Sequence, residues 1–307
     1  MKRIAPLLVL MAGCLWGVIG VFVRKLNVIG FDSMEIVALR AISTSILLLV
    51  FLLIYDIKML RIRLKDFWCF IGTGILSIVF FNFCYFKAMT LTSLSVAAVL
   101  LYTAPVIVML LSAILFHEKI TVTKILALVA TFVGCILVTG VVGFPGSVSV
   151  GGILAGLGAG LGYALYSIFS RYALERGYHP FTISFYTFLL AMVGTIPFCG
   201  DRFIINIYKS DAGVIIFCLT FGLVSTVIPY IVYTLGLKEM ENSRASVIAS
   251  IEPVTATLLG VFVYHEKLTI SNVIGIILVM CAIIICSGKQ GKQQVNEDSK
   301  ETADENL

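Results

Sequence analysis

The chain has 307 residues, of which 60% are hydrophobic and only 13% charged, and its mean hydropathy is +1.06. Globular domains are about 45–50% apolar and about 25% charged, so this composition excludes a soluble enzyme, with or without one membrane anchor. The net charge of +5 comes from short clusters between apolar runs, without interleaved aromatics, which points to membrane topology and away from nucleic acid.

In chain order the apolar runs predict ten spanning helices, at approximately 4–23, 34–55, 67–86, 93–115, 122–142, 151–170, 181–199, 212–235, 246–264 and 270–287. Each is continuous and long enough for a hydrocarbon core about 30 Å thick, which fits an all-α polytopic membrane protein and not a barrel of alternating strands. Lys2 and Arg3 imitate the start of a signal peptide. The apolar run continues through Gly17 and Gly20 without an A-x-A site, so it reads as a retained first span. Residues 288–307 have no apolar face and predict a disordered tail. With both termini cytoplasmic, fifteen Lys/Arg fall in inner segments and six in outer ones, and the 56–66 loop contributes most to that bias.

A shift of 148 positions lays residues 95–121 over 243–269 with 11 identities in 27. Pro105 meets Pro253, and His117, Glu118, Lys119 and Thr121 meet His265, Glu266, Lys267 and Thr269. A shift of 147 matches Phe22, Arg24 and Gly30 with Phe169, Arg171 and Gly177, and Trp16 with Tyr163. The repeat unit is five helices, 1–142 and 151–287, joined by a linker at 143–150. An odd number of spans turns the second copy upside down in the bilayer. Inverted repeats meeting near the midplane are the usual construction of alternating-access transporters; a membrane channel or solute sensor descended from a duplicated ancestor is the alternative.

Pro105 and Pro253 interrupt the fourth and ninth spans and should free the carbonyls of Leu101 and Ala249. Glu252, beside Pro253, is a carboxylate deep in a span, suited to lining a cavity, binding a cationic group or carrying a proton; its repeat counterpart is Ala104. Arg40 either snorkels to the headgroups or faces the cavity as a charge partner, with Glu35 as a less certain companion. Trp16, Tyr85, Tyr102, Tyr163, Tyr166, Tyr230 and Tyr233 bring polar atoms into apolar spans, Asn82 adds an amide, and Pro229 another bend. Together they suit an amphipathic organic solute better than a bare ion. Gly152, Gly156 and Gly160 form overlapping GxxxG pairs in the sixth span and read as close helix packing; 158–164 lacks the lysine and hydroxyl of a nucleotide loop.

Neighbouring His117–Glu118 and His265–Glu266 cannot share one site across the membrane, and read as breaks between helices followed by Thr121 and Thr269 as N-caps. Eight scattered cysteines without a CxxC read as small core residues. No hydrolytic constellation, metal-ligand set or cofactor motif is present in the sequence, so the expectation is a non-enzyme with no cofactor and no metal.

The chain resembles the drug/metabolite transporter superfamily in its ten-helix EamA-type branch, across roughly residues 4–287. The likeness rests on Leu15-Trp16-Gly17, the APV at 104–106, the EPV at 252–254, Glu118 and Glu266 ending the fourth and ninth helices, and the GIILV run at 275–279. The chain departs from the family's habit at 162–164, where GYA replaces another tryptophan, and at 117 and 265, where histidine stands for glycine. The resemblance implies a pseudo-twofold bundle, with the first, third, fourth, sixth, eighth and ninth helices around a central path and the fifth and tenth outside it. It also implies efflux or exchange of amino acids, other small metabolites or hydrophobic cations by a permease of a bacterial-type inner membrane, with protons and a homodimer as further candidate partners.

Overall fold

The computed structural model describes the backbone of residues 2–140 and 149–304 and the side chains of 3–140 and 149–287; most of the 143–150 linker lies outside the described residues. The fold is all-α and polytopic. Nine helices among the described residues are long and apolar enough to cross a membrane. We label the helices α1 (Ala5–Ile29), α2 (Ser33–Tyr55), α3 (Leu64–Leu91), α4 (Leu94–Leu115), α5 (Val122–Val138), α6 (Val150–Glu175), α7 (Pro180–Phe198), α8 (Ala212–Glu239), α9 (Asn242–Tyr264) and α10, whose apolar part is Ile270–Ser287. α5 is the shorter apolar helix of the set, with 17 residues.

Polar residues place the ends. Asp32 accepts from the Glu35 amide at 3.0 Å while the Glu35 carboxylate accepts from the Asp32 amide at 3.0 Å, a reciprocal cap that starts α2. Glu35 is therefore engaged at the helix start and does not partner Arg40. α1 extends to Ile29, beyond the expected end at 23, because Arg24 and Lys25 are accommodated on the helix: Arg24 lies over the Tyr264 ring and Lys25 over Phe217. At the other end of the chain, helical backbone continues from Ile270 to Asp304, across a segment whose composition predicts disorder. Propagation from a helix that is already formed avoids the cost of nucleation, and no proline interrupts it.

α4 and α9 are broken where the prolines predict. α4 consists of Leu94–Leu101 and Ala104–Leu115, and α9 of Asn242–Ala249 and Glu252–Tyr264, with Pro105 and Pro253 in the first turn of each second half. A glycine of the opposite half approaches each break. A Cβ on Gly13 would lie 2.7 Å from the Ala249 carbonyl oxygen, and one on Gly160 would lie 3.0 Å from that of Leu100 and 3.4 Å from that of Leu101. Gly13 and Gly160 are equivalent at the 147 shift, so the same device seats α1 against α9 and α6 against α4.

Two features carry weaker sequence signals. α3 and α8 widen into π-helical turns at Gly72–Val79 and Leu223–Val227, which coincide at the 148 shift over 75–79. α1 is interrupted at Val18, whereas its counterpart α6 is continuous. Outside the central helices, α5 and α10 cross at Gly134 and Gly275, where a Cβ on either glycine would lie within 3.0 Å of the other's carbonyl oxygen.

Candidate functional site

A small cavity lies between the breaks in α4 and α9, beside α6. Tyr102, Pro105, Tyr163, Ser246, Ser250 and Glu252 are among its lining residues. Glu252 is the first residue of α9's second half, so its carboxylate projects from a helix start, where amides without intrahelical partners and the helix dipole favour negative charge. The Tyr163 hydroxyl, from α6, donates to Glu252 Oε2 at 3.0 Å.

Arg40 of α2 is 6% exposed, so it does not snorkel to a surface. It interacts electrostatically with Glu252 and Tyr230. Among the described residues it forms no ion pair within 4.0 Å. A carboxyl and a guanidinium are thus both held in the interior without closing on each other. Each alone is costly there, and a group bearing a matching charge relieves that cost.

An aromatic cluster lies alongside. The Trp16 ring centroid is 5.1 Å from Tyr230, 5.2 Å from Tyr233 and 6.3 Å from Tyr163. Tyr166 meets Tyr230 edge-on at 4.8 Å, and Phe81 links Tyr163 to Tyr85 at 5.8 Å on either side. Part of this polarity is consumed internally: Tyr166 Oη and Thr234 Oγ1 share a 2.9 Å hydrogen bond, and Ser167 Oγ and Tyr233 Oη one of 2.7 Å. Trp16 Nε1 is different, being buried without an acceptor, in a side chain only 7% exposed. A buried donor left unpaired costs free energy until an acceptor arrives.

The structure therefore gathers Trp16, Tyr102, Pro105, Tyr163, Tyr166, Tyr230, Tyr233, Glu252 and Arg40 around one centre. Asn82 is turned to its own helix, its amide nitrogen donating to the Ile78 carbonyl at 2.8 Å. Tyr85 joins through Phe81 and through electrostatic interaction with Glu252. Pro229 starts the last segment of α8 just after its π-helical turn, and Pro253 supports the break instead of lining the cavity. No group of three or more His, Cys, Asp or Glu arranged to hold a metal ion occurs among the described residues.

Sequence reasoning missed a second polar cluster at the α4–α5 turn. Glu118 accepts from the Asn242 amide at 2.7 Å, the Ser243 amide at 3.2 Å and the Ser243 hydroxyl at 2.5 Å. Arg171 of α6 donates to Asn242 Oδ1 at 2.9 Å and to the Met240 carbonyl, and Lys124 pairs with Glu241 at 3.0 Å. The available signal was the recurrence of Glu118 at Glu266, and of Arg24 at Arg171, in the two repeats.

Comparisons with known proteins agree with this architecture. The model of the EamA-like transporter family matches the chain twice, over residues 3–140 and 150–288. An uncharacterized transporter of Archaeoglobus fulgidus is 28% identical over 281 residues, covering 90% of this chain and 94% of that protein. The uncharacterized transporter YwfM of Bacillus subtilis is 28% identical over 218 residues, covering 69% and 71%. A protein of known crystal structure shares the fold with a TM-score of 0.76 at 17% identity, over 95% of this chain and 98% of the other.

Proposed function

The chain belongs to the EamA-like transporter family and carries small molecules across a membrane, and on that premise we propose that it moves zwitterionic or amphipathic organic metabolites of the amino-acid class, by efflux or exchange. The observation that supports this substrate class is the separated carboxyl and guanidinium, of Glu252 and Arg40, beside a cavity with the Tyr163 hydroxyl 3.0 Å from Glu252. In this reading a substrate ammonium meets Glu252 and its carboxylate meets Arg40, with Trp16 Nε1 as a further donor to an acceptor oxygen. The apolar part lies against Tyr102, Tyr230 and Tyr233. Tyr85 and Tyr166 frame this shell, Pro105 lines it, Pro229 and Pro253 bend the helices around it, and Asn82 braces the helix behind it. Glu252 is also the group suited to carry a coupling proton.

The carrier consists, in the same proposal, of ten spans in two inverted five-helix repeats, 1–142 and 151–287, with 143–150 between them and a cytoplasmic tail at 288–307. Paired prolines, paired π-helical turns and the equivalent Gly13 and Gly160 support the repeat, as do two successive matches to one family model. Both termini lie on the cytoplasmic side of a bacterial-type inner membrane, following the distribution of Lys and Arg. A homodimer belongs to the same reading, and crosslinking in the bilayer tests it.

The experiment is counterflow by purified protein in liposomes against a mixed pool of amino acids and metabolites, with identification of what exchanges. Saturable exchange of amino-acid-like solutes is expected. A channel would pass solute without countertransport and a sensor would pass none, and either outcome overturns the proposal.

A further inference from the structure

The two His-Glu turns have the same backbone. His117 and His265 adopt left-handed conformations, with φ of 54° and 56°. The Glu118 amide donates to the Ser112 carbonyl at 3.2 Å, and the Glu266 amide to the Gly260 carbonyl at 3.1 Å, each reaching back six residues. The carboxylates nevertheless do opposite things. Glu118 is inserted at the start of α9, where it accepts two backbone amides and a hydroxyl. Glu266 instead pairs with Arg24 at 2.8 Å, and both side chains are at least half exposed.

The 148 shift identifies what Glu266 is missing. Ser243, bound by Glu118, coincides with Ser95, and the start of α9 coincides with the start of α4. Asn242 and Ser243 are 0% and 4% exposed, whereas Leu94 is 64% exposed. The α4 start has only a local cap, the Ser93 hydroxyl accepting from the Val96 amide at 3.2 Å. Arg171, which braces the α9 start, coincides at the 147 shift with Arg24, which lies on the segment of α1 beyond the break at Val18. At one face a carboxylate caps the start of the opposite half's broken helix; at the other the serine and the arginine recur, but the carboxylate is engaged elsewhere.

We propose that Glu118 and Glu266 are alternating latches of the transport cycle. When its face is shut, each carboxylate caps the first turn of the broken helix of the opposite half: Glu118 at Asn242 and Ser243, Glu266 at Leu94 and Ser95. The proposal builds on the alternating-access reading above. The energetics permit the exchange, because an exposed ion pair such as Arg24–Glu266 is worth little, while charge-assisted bonds to helix-start amides are strong. The capped amides and the serine hydroxyl recur in both halves, whereas Glu241, Asn242 and Lys124 become Ser93, Leu94 and Asn272, so the cycle exchanges one latch for a counterpart with fewer side-chain partners.

The test uses spin labels in a background without the native cysteines, one pair at Leu94 and Lys267 and one at Lys119 and Lys238. In wild type the first pair reports an open face and the second a shut one. Glu118→Ala should lengthen the 119–238 distance and raise the short-distance population of 94–267, on the order of tenfold. Adding Glu266→Ala should abolish that short-distance gain. Ser243→Ala, which removes one of the three bonds, should shift both distances in the same direction by less, and serves if Glu118→Ala does not fold. Unchanged distances in folded Glu118→Ala, or in Ser243→Ala where it must serve, overturn the latch, as does equal closure of 94–267 with and without Glu266. If these failures occur while wild type still performs counterflow, the latch is wrong and the transport reading stands; absent counterflow would count against that reading instead.

Discussion

Replacing Glu252 by glutamine separates a binding carboxylate from a structural one. The Tyr163 hydroxyl, 3.0 Å from Glu252 Oε2, can still donate to the amide oxygen of glutamine, so the local hydrogen bond and side-chain size are retained. Two things are lost. A substrate cation loses a charge-assisted contact of about 1.5–3 kcal/mol, which predicts an apparent affinity roughly 10- to 100-fold weaker. Arg40, 6% exposed, loses the opposite charge nearest it in the interior, although the two groups are not in contact. Glu252→Gln should therefore be less stable in detergent and poor in transport, with a flattened pH response if the carboxyl carries a proton. The double variant Arg40→Gln/Glu252→Gln should regain much of the stability while remaining inactive, because neither charge is left alone. Transport per inserted molecule and thermal unfolding of wild type, both single variants and the double variant complete the cycle. Wild-type transport by Glu252→Gln across pH would refute the binding role, and recovery of transport in the double variant would refute the use of the two charges by substrate.

Gly13→Ala would bring a Cβ within 2.5 Å of Ile251 Cγ2 and 2.7 Å of the Ala249 carbonyl oxygen, costing about 1–3 kcal/mol and lowering transport, while Gly20→Ala, with nothing within 4 Å, should be neutral in the same unfolding and uptake assays. Pro105→Ala and Pro253→Ala should insert normally and shift reporter accessibility on the two faces in opposite senses, since each restores a backbone donor at one break; unchanged accessibility and transport in both would reduce the prolines to bends. Single cysteines at Arg61 and Lys267 should be labelled from opposite sides of the membrane, and equal external labelling would overturn the inverted arrangement.

The helical, polytopic architecture was legible because continuous apolar runs leave the backbone no other way to satisfy its hydrogen bonds in lipid. The breaks at Pro105 and Pro253 were legible because proline removes a donor at a fixed place. Trp16 and Tyr163, paired by the repeat, indeed meet at the centre, 6.3 Å apart. Other parts depended on tertiary context. Arg40 reads first as a snorkelling side chain, because nothing local records that the packing around α2 buries it. Asn82 read as a cavity amide, but its own helix offered the Ile78 carbonyl one turn away. The end of α1 expected at 23 falls short because Arg24 and Lys25 look like an interface until Tyr264, Glu266 and Phe217 receive them. The role of Glu118 at the α9 start was hidden for the same reason, since its partners lie 124 and 125 residues away.

The central site is proposed to recognise two opposite charges on one small solute, and counterflow with three matched compounds measures that recognition. These are an α-amino acid, the amine lacking its carboxylate and the acid lacking its ammonium, each offered to purified protein in liposomes. Recognition by Glu252 and Arg40 together predicts saturable exchange of the amino acid and little of either singly charged analogue. Equal exchange of the amine or the acid, or no exchange of the three by correctly inserted protein, would contradict it.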